Sequence, residues 1–113
     1  MGYNSYFELT SEPPLDKLPE LMLDEIADYD WRYYSPEDFT EDRIFFGFQK
    51  WYDYEIDLKE FSLSFPDILF ILDRRGEDAG DLEKSYYKNG KSCSIYARIE
   101  FDEFNESMLT DNN

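Results

Sequence analysis

Histidine is absent from this 113-residue chain, and cysteine occurs once, at Cys93. Without imidazole there is no general base of the usual kind at neutral pH and no histidine ligand for a metal. One thiol allows neither an intramolecular disulfide nor a cysteine-built zinc site. Also missing is an apolar run approaching the roughly 18 residues of a membrane-spanning helix. The opening MGYNSYFELT has neither the basic region nor the apolar stretch of a secretory signal, so the expected compartment is the cytoplasm, with no membrane partner. No G-x-G-x-x-G or P-loop occurs, and Gly47 is a lone glycine in an aromatic segment. The expectation is a protein without cofactor, bound metal or catalytic residues.

Bases are scarce as well: 11 Lys and Arg against 27 Asp and Glu leave a formal charge of −16. The imbalance has a place. Residues 1–60 hold 16 acids and 5 bases, residues 61–100 hold 7 and 6, and residues 101–113 hold 4 acids and no base. Nucleic acid and anionic lipid repel such a chain, whereas basic protein surfaces attract it over about a Debye length. Direct binding to nucleic acid is therefore not expected. What is abundant is aromatic: 10 Phe, 10 Tyr and 2 Trp lift the apolar fraction to 42%, which separates the chain from disordered acidic sequences. One core, in one domain over residues 1–104, suits this length, with residues 105–113 a frayed acidic tail.

Residues 3–10 alternate and read as a strand stopped by Pro13-Pro14. Leu18, Met22 and Ile26, four apart, predict a helix over 16–29 that starts near Pro19. Ser35-Pro36-Glu37-Asp38 has the composition of a capped single turn. Residues 43–51 read as a strand. Tyr54, Leu58, Phe61 and Phe65 predict a helix from Asp53 onward, ended by Phe65-Pro66-Asp67. Ile68 to Leu72 is a short apolar strand, and Arg74-Arg75-Gly76 through Gly80 reads as a turn. Asn89-Gly90 marks a two-residue hairpin between 82–88 and 91–101. In its second arm Cys93, Ile95, Ala97, Ile99 and Phe101 form the expected core face, and Ser92, Ser94, Tyr96, Arg98 and Glu100 the wet face. The order β-α-β-α-β-β-β is an α+β fold: two helices on one face of a mainly antiparallel sheet, loosely like a ferredoxin-type sandwich.

From Lys50 to Lys91 the chain reads KWYDYEIDLKEFSLSFPDILFIL, then GEDAGDLEKSYYKNGK, followed by a strand ending in RIEFDEF. Over residues 50–104 this resembles a loosely defined group of small, uncharacterised phage and bacterial proteins. The resemblance implies a phage or mobile-element setting and carries no reaction with it.

Asp16, Glu20, Asp24 and Asp28 lie four apart, so on one continuous helix they would form a carboxylate ladder stepping about 6 Å. Every second phosphate of a nucleic-acid strand recurs at a similar interval, and a groove shaped for that backbone accepts such a ladder. A solvated helix face explains the spacing equally, because three like-charge pairs cost only about 1 kcal/mol together. Asp53, Asp57 and Glu60 edge the second helix, and Glu37 and Asp38 lie between. Trp31, Tyr33 and Tyr34 are candidate interface aromatics, while Trp51 reads as core. Asp73, Glu77, Asp78 and Asp81 crowd one turn without the spacing of a calcium loop. The leading expectation is an anti-defence inhibitor, of anti-CRISPR or anti-restriction type, that occupies a basic groove on a nucleic-acid-binding host protein by imitating backbone charge. The alternative is an accessory or immunity-type protein that binds through aromatics and is acidic for solubility.

Overall fold

The computed structural model describes residues 3–31, 35–98 and 100–110. Strand β1 (Ser5–Glu12) alternates strictly, with Ser5, Phe7, Leu9 and Ser11 buried and their neighbours half-exposed or exposed. It ends at the proline pair, as its composition predicts. A single 3-10 turn (Leu15–Lys17) follows and drops Leu15 into the core. Helix α1 (Glu20–Ala27) then starts immediately after Pro19. The predicted start at residue 16 is corrected here: a residue preceding proline is driven out of the helical region, and Leu18 is extended, with ψ 153°. Ile26 is buried and Leu18, Met22 and Leu23 are packed against the core, so the expected stripe holds although the helix is shorter.

The segment read as a turn at Ser35–Asp38 gives instead a two-residue strand, β2 (Asp38–Phe39), on the edge of β3 (Ile44–Gln49). Phe46 is an extra residue in β3: the pairing with β1 passes from Phe7–Gly47 to Glu8–Phe45. Gly47 takes φ +74° at this bulge, a conformation open to glycine without strain. The bulge sends Phe46 fully into the core, while Phe48 emerges on the opposite face and meets the Tyr6 ring at 5.2 Å.

Helix α2 (Tyr54–Leu63) buries Leu58, Phe61 and Ser62 and stops before Pro66. Strand β4 (Leu69–Arg75) runs three residues past the predicted Leu72, so Arg74 and Arg75 are strand residues and not a turn. Strands β5 (Leu82–Lys88) and β6 (Lys91–Tyr96) form the expected hairpin, with Asn89 at φ 49° and Gly90 at φ 79°. Both angles fit the type I′ turn that Asn-Gly favours. The Gly90 amide donates to Ser62 Oγ at 2.8 Å, which pins the hairpin tip to the end of α2.

The phase of β6 is the reverse of the sequence expectation. Ser92, Ser94 and Tyr96 lie opposite Tyr87, Ser85 and Glu83, on the face that carries the helices, whereas Cys93 and Ile95 are exposed on the other face. The strand also ends at Tyr96 and not at Phe101. An edge strand at the margin of the helix layer has little apolar surface to cover, so its apolar set is free to face the other way.

The fold is α+β, with one sheet in the order β2-β3-β1-β4-β5-β6, antiparallel at every pairing, and both helices in one layer over it. The likeness to a ferredoxin-type sandwich is one of layers. Between them, Phe61 packs on Tyr29, Trp31, Phe65 and Phe70, and Trp51 on Phe7, Phe46 and Trp31, with ring centroids 4.6–5.9 Å apart. These are edge and tilted geometries that add to the burial itself. Trp51 is core, as its reading required.

The bulge supplies a test. Gly47→Ala is expected to destabilise the protein by about 1–2 kcal/mol in urea titration, the penalty of a left-handed Cβ. The Glu37 carboxylate fills the space that the new methyl would take, but it belongs to an exposed side chain that can swing aside. Adding Glu37→Ala should therefore restore little, and full restoration would place the strain in the side chain instead.

Candidate protein-binding site on the helix layer

Two groups of charge dominate the molecule, and they differ in how their charges are satisfied. One is built around Arg74. Its side chain enters the helix-side face of β4 and is 8% exposed, a position that demands partners. Nε donates to Glu83 Oε1 at 2.7 Å, Nη2 to Asp81 Oδ1 at 2.6 Å, and Nη1 to Asp81 Oδ2 at 3.1 Å and Ser5 Oγ at 3.0 Å. Tyr54 on α2 donates to Glu83, and Tyr3 ahead of β1 donates to Asp81 at 2.7 Å. The ring of Tyr54 lies beneath the guanidinium, 5.8 Å from its centroid. One side chain thus ties β1, β4, β5 and α2 together.

The titration directions follow from this geometry. Asp81 is held below its ordinary 3.8 by the Arg74 hydrogen bonds and by Tyr3. Burial by itself pushes Glu83 up, but hydrogen bonds from Tyr54, Arg74 and Ser94 outweigh it, and the carboxyl ends below its ordinary 4.5. Burial likewise opposes the charge on Arg74, and the bonds to Asp81 and Glu83 reverse that effect. Tyr54 is pushed well up by burial and by the adjoining Glu83. Composition could not signal this cluster, because adjacent arginines in a charged stretch look like a turn. Asp73 and Asp81, read together in one crowded turn, part company: Asp81 joins Arg74, while Asp73 faces the other side of the sheet with Lys84 at 3.5 Å.

The second group is the acidic layer. Of the expected ladder, Asp16 stands apart in the 3-10 turn, Glu20 and Asp24 lie in α1, and Asp28 is its C-cap residue. The helix has a further acid, Glu25, and no base. Glu20, Asp24, Glu25 and Asp28 are exposed and make no ion pair among the described residues. Asp24, Glu25 and Asp28 sit toward the negative end of the helix dipole, where a carboxylate costs roughly 0.3–1 kcal/mol. Glu20, in the first turn, is favoured by the same dipole, but local stability does not account for the other three.

Other candidates have structural occupations. Asp53 is the N-cap residue of α2, where negative charge is favourable, with Glu55 and Asp57 in the first turn. Asp57 accepts from Trp51 Nε1 at 2.7 Å, and Glu55 accepts from Ser92 at 3.2 Å. Glu37 and Asp38 lie at the β2 edge; the Glu37 amide donates to Phe45 O at 2.7 Å, and Asp38 accepts from the next amide. The helices nevertheless adjoin: Asp30 after α1 and Asp57 and Glu60 on α2 line one small cleft with Tyr29 and Trp31. Trp31, expected as an interface aromatic, is buried against Tyr29, Phe46 and Phe61. Tyr33 and Tyr34 lie outside the described residues. The helix layer exposes aliphatics that the pattern did not single out, Leu21 at 79% and Ile56 at 65%.

Comparison with protein-family models, with curated proteins and with solved structures found no match to this chain.

The Arg74 cluster predicts a pH signature. The lowered carboxyls add stability that is complete above about pH 5 and lost as pH falls through their native values. Arg74→Met leaves Glu83 and Asp81 facing no cation and should cost about 3–5 kcal/mol at neutral pH. In urea titrations the gap between variant and native chain should narrow below about pH 4, where the carboxyls protonate. A gap that stays constant with pH would mean that Arg74 acts by packing alone.

Proposed function

We propose that the helix layer is a charge-mimicking binding surface, with which the chain occupies the nucleic-acid groove of a basic host protein and so inhibits it. The observation that carries this reading is the unpaired acid on α1. Glu20, Asp24 and Glu25 on an eight-residue helix and Asp28 at its C-cap stand exposed, three of the four against the helix dipole, and the acidity continues through Asp30 to Asp57 and Glu60. Asp16 flanks the layer. Asp53, Glu37 and Asp38 contribute to the field from neighbouring positions although each has a local role.

A helix of eight residues spans about 12 Å, which corresponds to three or four successive phosphates of a strand. Leu21, exposed among these acids, gives the surface an apolar anchor of the kind that supplies affinity while the charges steer the approach. The resemblance of residues 50–104 to small phage and bacterial proteins directs the reading toward an anti-defence role, against a CRISPR or restriction complex.

The test is competition. Proteins captured from a bacterial lysate on the immobilised chain should be released by excess duplex DNA. Their affinity should fall by roughly tenfold or more between about 50 and about 500 mM salt, as the Debye length shrinks. Glu20→Gln/Asp24→Asn/Asp28→Asn should abolish capture while leaving the thermal midpoint unchanged or slightly higher, because two carboxylates that oppose the dipole go together with one, Glu20, that it favours. Capture that survives high salt and DNA sinks the proposal and favours an interface held by apolar side chains.

A further inference from the structure

The face of the sheet away from the helices has no layer over it among the described residues, and it carries an open groove of about 600 Å³ at the β5–β6 margin. Its walls include Tyr6, Arg75, Leu82, Lys84, Ile95 and Ala97. The charges here are unlike those of the helix layer. Glu8 is engaged by Arg43 at 2.8 Å and by Tyr6, and Asp73 by Lys84. The Arg75 guanidinium lies over the Tyr6 ring, 4.5 Å from its centroid, and has no carboxylate partner among the described residues. On a chain of charge −16 this groove keeps a cation in reserve beside apolar walls.

The segment after β6 has the opposite character. Ala97 continues the ladder by donating to Leu82 O at 2.9 Å, and beyond it the chain leaves the sheet. Phe101 is 93% exposed and Phe104 66%, with Met108 and Leu109 also exposed. Glu100, Asp102, Glu103 and Glu106 oppose the single base Arg98. The arm is not shapeless: Asn105 caps a 3-10 turn (Glu106–Met108) by accepting from the Ser107 amide at 3.0 Å. It stands off its own body, for the radius of gyration is 18.0 Å and the longest dimension 59 Å, where a compact chain of this length measures about 13 Å in radius.

We propose that residues 98–110 dock into this groove of a second copy of the chain, reciprocally, giving a symmetric dimer by arm exchange. The arm brings what the groove lacks, apolar side chains for Leu82 and Ile95 and carboxylates for Arg75. From Glu100 to Thr110, with the turn at Glu106–Met108 kept, the arm can reach about 30 Å, enough to lie along a neighbour's sheet. A two-fold arrangement satisfies both grooves and both arms at once and closes the assembly at two. The acidic helix layers, on the far side of each sheet, remain exposed in that dimer.

Charge exchange between two full-length variants tests it. The native chain should sediment as a concentration-dependent dimer. Arg75→Glu alone, and Asp102→Lys/Glu103→Lys alone, should each raise the dissociation constant by roughly tenfold or more through like-charge contacts. Mixing the two variants should restore the dimer, since each lysine arm then meets a glutamate groove and each acidic arm an arginine groove. Phe101→Ser/Phe104→Ser should remain monomeric with or without either variant. A native chain that stays monomeric at every concentration overturns the proposal, as does a mixture that fails to associate, the behaviour of an arm that folds back on its own sheet.

Discussion

A guanidinium shut away from water has to find its full set of acceptors inside the fold, and at Arg74 that demand organises the sheet. The side chain reaches Ser5 on β1, Glu83 on β5 and Asp81 in the turn between β4 and β5, and it stacks near Tyr54 on α2. The partners range from Asp81 and Glu83, seven and nine residues on, to Ser5, 69 residues back, and a slip of any one of these elements by a residue would leave charge buried without a partner. Apolar packing tolerates near-equivalent arrangements; a buried guanidinium with directional acceptors on three sides tolerates few. The aromatic core supplies most of the burial, while Arg74 selects the register in which that burial occurs. A polar cluster is thus the specifying element of a layer otherwise made of phenylalanine, tyrosine and tryptophan.

The two charge systems have opposite logic. Around Arg74, acid and base are matched, shielded and directional, and each carboxyl is displaced from its ordinary titration range by what it touches. On α1 and its C-cap the acids are exposed and unmatched, and three of the four work against the helix that carries them. Evolution holds a domain only just above the stability it needs, so uncompensated costs of this kind are most readily kept where a surface has work to do. Solubility would be served as well by acids placed anywhere on the surface, including the first turn of α1, where the dipole favours them and where only Glu20 stands.

Much of the architecture was legible because turns and breakers act locally. Asn89-Gly90, the Pro13-Pro14 stop and the Phe65-Pro66-Asp67 terminus read directly from backbone chemistry. Pro19 does more than mark a start: its effect on Leu18 separates Asp16 from the helix and shortens the ladder. Gly47, noted only as a lone glycine, was the sign of a bulge. Arg74 as a strand residue is hidden, since its acid partners Asp81 and Glu83 stand close in sequence among other charges and nothing in the order of residues shows which of those charges the helix layer will cover. In β6 the alternation was visible and its direction was not, because periodicity defines two faces without saying which of them a helix will cover. For the candidate site, the acids of α1 were legible as a cluster, but their lack of partners is a property of three dimensions, as is the removal of Trp31 to the core.

The antiparallel sheet separates unpaired acid on its helix side from a spare arginine on its open side. In physical terms the molecule is a permanent dipole as well as an anion. In the field of a strongly basic surface it experiences a torque before it experiences contact, and it turns its helices forward while still about a Debye length away. The sheet is therefore more than a support for the helices: lying between two unlike surfaces, it fixes the direction of the molecule's dipole.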